Sequence, residues 1–248
     1  MIGRALTATR MGFREQGRRP LLLVLLLALP FLFISWSFAI TEPNPRLITL
    51  PGGEQLLTTM REIHGAIMVP ITVGFLAGLV GLFVVRSALE SDRRLVLAGY
   101  SPGEAIVPRL AVLVTATLIV LAVSLAVTAI DFTPASWGPF VVGNLLAGLI
   151  YGLIGALAGA LVGRLGGAYL MFFLPMIDIG VAQDPMFFDG APPGWATVLP
   201  GYGPTRVLID GAFSQGFEAT GPLVVALLWL VALALAVVLL LRRSLGRR

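Results

Sequence analysis

An all-α integral membrane protein with six transmembrane helices is the fold class this sequence predicts, and three observations predict it. The 248 residues are 57% hydrophobic and only 12% charged, about half the charged fraction of a soluble domain. Mean hydropathy is +0.94, which excludes a disordered chain, because disorder needs low hydrophobicity. The apolar residues fall into six blocks rather than amphipathic stripes, most of them about twenty residues long, the length that crosses a ~30 Å hydrocarbon layer. No stretch between blocks can hold a separate soluble domain, so residues 1–248 read as one transmembrane domain.

Residues 1–19 form a basic arm with Arg4, Arg10, Arg14, Arg18 and Arg19. Ile2, Leu6 and Phe13 fall near one helical face, so the arm reads as an amphipathic helix on an anionic membrane surface; a plain basic tag is the alternative. The first block, Pro20 to Ile40, is too long for a signal-peptide core and lacks a small-x-small cleavage site, which favours a signal anchor. The second block runs from Gly65 to Val85, the third from Leu110 to Ile130 and the fourth from Gly138 to Val162. Gly148, Gly152, Gly155, Gly159 and Gly163 give the fourth a small-residue face for a closely packed helix, with no indication of which one. The fifth, Ala168 to Val181, is short; it either continues toward Pro185 or ends in a protein-lined cavity. The last runs from Gly221 to Leu241.

Arginine placement sets the orientation. The arm carries five, the segment between the second and third blocks has Arg86, Arg93, Arg94 and Arg109, the turn after the fourth has Arg164, and the tail has Arg242, Arg243, Arg247 and Arg248. The opposite side has Arg46, Arg61 and Arg206 alone. By the positive-inside bias both termini are cytoplasmic, and the chain is expected in a prokaryotic cell membrane.

Two residue types are missing. Without cysteine there is no disulfide, thiolate metal site or cysteine nucleophile. All 17 basic residues are arginine, so a phosphate-binding G-x-x-x-x-G-K-[ST] loop and a Schiff-base lysine are excluded. ATP, if used, is bound by another chain, and nothing in the pattern points to nucleic acid.

The most informative segment is residues 86–109. Its first half reads as a helix with Leu89, Leu95, Val96 and Leu97 among mixed charges; Gly99 stops it, and Ser101-Pro102 opens a second helix with Glu104 at its third position. Glu90, Asp92, Arg93, Arg94, Leu97, Gly99, Ser101, Pro102 and Glu104 stand in an order and spacing that resembles the permease subunits of ABC-2 type transporters. The family carries a Gly-Thr pair where this chain has Arg93 and Arg94. The resemblance implies that this loop, Tyr100 included, is a coupling helix seated in a separate ATP-binding subunit. That subunit would hold ATP and magnesium, leaving no cofactor, metal or catalytic residue in this chain. It also implies a homodimer, or a heterodimer with a related permease.

Residues 182–220 hold five prolines between Pro185 and Pro204, and also Phe187, Phe188, Trp195, Tyr202, Phe213 and Phe217, too many aromatics for a water-exposed loop. Pro204 to about Phe213 reads as a short helix. The run from Leu199 through Pro200 and Tyr202 to Pro204 looks like the re-entrant outer helices of the same family, which implies an outer gate. Asp178 is the one ionisable residue well inside a block; such a carboxylate costs about 2.5–3.5 kcal/mol unless it faces protein or water. It is either a structural hydrogen-bonding group or a pathway residue, and Ser35 is a second pathway candidate beside Trp36. The lone His64 reads as an interfacial polar cap rather than a metal ligand.

The resemblance implies an ATP-driven exporter subunit, near the drug-exporter branch that includes fluoroquinolone-type exporters, and the apolar, aromatic-lined spans suit a lipophilic drug, antibiotic or lipid. An ion-gradient carrier or a structural subunit is the alternative, though a carrier would place ionisable residues in several spans. An intramembrane hydrolase would need a paired base and nucleophile, or two carboxylates in reach of each other.

Overall fold

The computed structural model describes residue 24, residues 27–188 and residues 190–246. The basic arm over residues 1–19 lies outside the described residues, as do the side chains of Glu90, Asp92, Arg93, Leu97 and Pro102.

Helix α1, Leu27–Ile40, is the described part of the first block. Pro30 lacks the N–H that would continue the ladder, and the turn after it, Phe31–Ser35, has π spacing. An antiparallel hairpin follows, β1 (Pro45–Thr49) with β2 (Gln55–Thr59), placing Leu47 opposite Leu57 and Ile48 opposite Leu56. This small two-stranded sheet is an addition to the mostly helical architecture that the sequence predicts. Its turn needs Gly53, whose φ is +89°.

Strand β2 runs directly into α2, Met60–Leu97. The join is a reciprocal cap: Glu62 N–H donates to the Thr59 hydroxyl, while the Glu62 carboxylate accepts from Thr59 N–H. At 38 residues α2 is ~57 Å long, about twice the hydrocarbon thickness, so it outruns any membrane it crosses. The helix expected over the first half of the 86–109 segment is the end of the second span's own helix. The second half likewise opens α3, Pro102–Asp131, with no break before the third span.

Helix α4 is Trp137–Leu161. Gly163, with φ +90°, turns the chain into α5, which runs from Arg164 to Ala182 and takes π spacing over Asp178–Ala182. The fifth block therefore starts earlier than its apolar run and reaches 19 residues. A 3-10 turn, Gly194–Val198, leads to α6, Tyr202–Phe213, and then to α7, Thr220–Gly246. Helices α2, α3, α4, α5 and α7 are long and apolar enough to cross a membrane, whereas α1 is apolar but shorter over its described residues. Five membrane-length helices are present among the described residues, and part of the first block lies outside them.

The glycine face of α4 packs on α2. A methyl at Gly155 would strike the carbonyl of Gly78, and one at Gly159 the carbonyl of Leu82. With 78% of the α2 span and 67% of the α4 span buried, against 17% for α7, this pair is the core and α7 is its apolar rim. The chain's alternating direction sorts the rest. The hairpin, the 3-10 turn and α6 gather at one end, called here the hairpin end. The Gly99 and Gly163 turns lie at the other, the turn end.

Candidate functional site

Asp178 is 3% exposed and sits where α5 changes from α to π spacing. Its Oδ2 accepts from the Tyr151 hydroxyl of α4 at 2.6 Å and from Gly201 N–H, just before α6, at 2.9 Å. Its Oδ1 accepts from Gln183 Nε2 at 3.4 Å, and the same amide donates to the Ala196 carbonyl at 2.9 Å. One carboxylate thus joins two membrane-length helices to the segment that leads into α6. A carboxylate is the right group here because it accepts from several donors at once and donates to none. Gly201 has to be small, since a methyl there would collide with both Asp178 and the Tyr151 hydroxyl.

Around this knot the hairpin end is fastened by further long-range bonds. Arg206 of α6 is buried, and its Nη1 donates to the Thr49 carbonyl of β1 at 3.0 Å. Burial pulls its guanidinium below the usual arginine range, against the opposing pull of Tyr202 and Asp210. Thr49 N–H donates to the Gly190 carbonyl at 2.9 Å. Asp210 Oδ2 accepts from Glu218 and Ala219 N–H at 2.8 and 2.9 Å, which caps the start of α7 from another helix. Ala135 and Ser136 N–H donate to the Ala212 and Gly211 carbonyls, tying the α3–α4 link to α6.

His64, at the start of α2, has Nδ1 3.9 Å from Oδ2 of the buried Asp184, too far for a direct hydrogen bond. No group of three His, Asp or Glu able to hold a metal ion occurs among the described residues. A cavity of about 280 Å³ between β1 and the 183–190 segment is lined by Arg46, Ile63 and Met186 among others.

Of the gate residues named from sequence, Asp178 is a hub, Pro200 lies in the turn that presents Gly201 N–H to it, and Tyr202 and Pro204 open α6. Ser35 is half-buried in the π turn of α1 and takes no part in these bonds. The aromatics of this segment split: Phe187, Trp195 and Phe217 are exposed, while Phe213 packs against Phe132 at 6.0 Å. Sequence reasoning missed Tyr151, Gln183, Arg206 and Asp210 as partners. A phenol midway along an apolar block was the available signal for Tyr151. The T-x-x-E pattern at Thr59–Glu62 was the one for the hairpin-to-helix cap.

At the turn end, Ala98 and Gly99 N–H close α2 on the Arg94 and Val96 carbonyls, and Gly99 has φ +92°. Ser101 caps α3 with a reciprocal box: Ser101 N–H donates to Glu104 Oε2 at 2.9 Å, and Glu104 N–H to Ser101 Oγ at 3.3 Å. Arg94, Gly99 and Ser101 are exposed, and Tyr100 and Glu104 half-buried. Comparison of the chain with protein-family models, with curated proteins and with solved structures returns no match in any of the three.

Proposed function

We propose that this chain is the membrane permease subunit of an ATP-driven exporter of the ABC-2 kind. The turn end is cytoplasmic and the hairpin end external; the first block, α1 included, completes six spans with both termini inside. ATP and Mg²⁺ are held by a separate ATP-binding subunit, and two permease copies, identical or related, enclose the path of a lipophilic substrate.

One observation carries this reading. The segment that resembles the coupling helix is built from the ends of α2 and α3 around a single glycine turn, with no slack between it and two spans. A push on the turn moves both helices as rigid bodies, which is what closure of a partner ATPase has to deliver. The hairpin end suits an outer gate, since α6 and the turn before it are bonded to the hairpin, to α5 and to the start of α7.

The test is twofold. Tagged protein in mild detergent is expected to pull down a P-loop ATPase. Leu97→Asp and Glu90→Arg are each expected to abolish export while membrane insertion, judged by fractionation and protease accessibility, stays normal. Normal export by both variants, or full activity of the purified chain with no ATPase docked, overturns the reading.

A further inference from the structure

Two adjoining cavities of about 400 and 210 Å³ lie between α2 and α5, the smaller bounded also by Phe33 of α1. They share Phe75 and Phe172, which meet edge to face at 5.5 Å, so together they form one groove with an aromatic waist. Leu79, Leu165 and Ala168 line it toward the turn end, and Met176 toward the hairpin end. From Leu165 to Met176 the groove follows α5 for ~16 Å, close to the ~15 Å that one leaflet contributes to the hydrocarbon layer.

The mouth is charged. Arg164, the first residue of α5, is exposed and adjoins Leu165. Its guanidinium carbon is held 5.5 Å from the ring centroid of Phe83, one helical turn beyond Leu79 on α2. Among the described residues no carboxylate forms a salt bridge with it. A cation fixed at the end of an apolar slot one leaflet long matches a molecule with an anionic head and a long alkyl tail.

We infer that this groove binds an anionic phospholipid from the leaflet on the Arg164 side, one acyl chain lying along α5 past Phe172 and the phosphate against Arg164. The site rests on the α2–α5 geometry and membrane embedding and needs no ATPase, so it stands or falls separately from the export reading.

The test uses the purified full chain in detergent, offered equal amounts of phosphatidylglycerol and phosphatidylcholine with the same acyl chains. Retained lipids are counted by native mass spectrometry. Phosphatidylglycerol is expected in about fivefold preference, the value of roughly one arginine at a membrane surface. Arg164→Gln brings the ratio near one, and Arg164→Lys keeps most of it. Leu165→Trp, a change at a 72% exposed position that the fold tolerates, narrows the mouth and lowers retention of both lipids severalfold at an unchanged ratio. Equal retention of the two lipids by the wild type, a preference that survives Arg164→Gln, or full retention by Leu165→Trp each overturns the site. Lipid binding of this pattern by a chain that never recruits an ATPase sinks the export reading and leaves the site intact.

Discussion

The two ends of the molecule are fastened in different ways. At the hairpin end, side-chain hydrogen bonds join residues far apart in sequence: Gly201 to Asp178 across 23 positions and Arg206 to Thr49 across 157. At the turn end, the Ser101–Glu104 box reaches three positions along the chain, and Arg94, Gly99 and Ser101 face outward. A buried polar bond is costly to break because the freed groups find no water. An exposed cap is cheap to break because water replaces it. The hairpin end is therefore held by its own tertiary contacts, while the turn end keeps its shape locally and leaves a surface on which a partner can bear.

The sharpest way to break this contrast is Asp178→Ala, which strands the Tyr151 hydroxyl and Gly201 N–H in a buried place. A loss of about 2–6 kcal/mol is expected, measured by denaturant titration in mixed micelles; a loss below ~1 kcal/mol would show that the knot bears little of the fold. A Tyr151→Phe and Asp178→Asn double-mutant cycle sharpens the assignment, with a coupling of about 0.5–3 kcal/mol expected for groups in one network.

Asp210→Ala comes next, at about 1–3 kcal/mol, because exposed Glu218 lets water reach one of the two released N–H groups. Hydrogen exchange in the first turn of α7 is expected to accelerate, and Asp210→Asn, which keeps an acceptor, recovers part of the protection. No change in that turn would remove the capping role.

Smallest is Ser101→Ala, about 1 kcal/mol at an exposed cap, seen as faster exchange at the start of α3 with the hairpin end unmoved. Gly99→Ala belongs with it: nothing surrounds the added methyl, so the cost is the backbone conformation alone, about 1 kcal/mol. Under the export reading both changes weaken ATPase coupling more than they weaken the fold. Equal losses in stability and coupling would argue that the turn is merely structural.

The membrane-length helices were legible because their signal is local. The block from Gly138 to Val162 coincides within a residue with α4, and Gly99, Ser101, Pro102 and Glu104 announced the α2–α3 turn that the structure contains. The fifth span was underestimated, since apolarity begins after Arg164 and Gly166 while the helix begins with Arg164 itself. The hairpin was missed for a related reason: Pro45 to Thr49 and Gln55 to Thr59 carry weak alternation, and pairing across a five-residue turn is decided by the partner strand.

What the sequence determined by itself was the solvent of the chain, the approximate limits of its apolar helices and the asymmetry of its arginines, because hydropathy, capping and charge act over a few residues. Only the tertiary structure decided that the glycines of α4 receive α2, that Asp178 answers to Tyr151 and Gly201, and that Arg164 stacks over Phe83. Each of these depends on atoms brought together from distant parts of the chain. No local preference encodes such a meeting, which packing and the satisfaction of buried polar groups settle collectively.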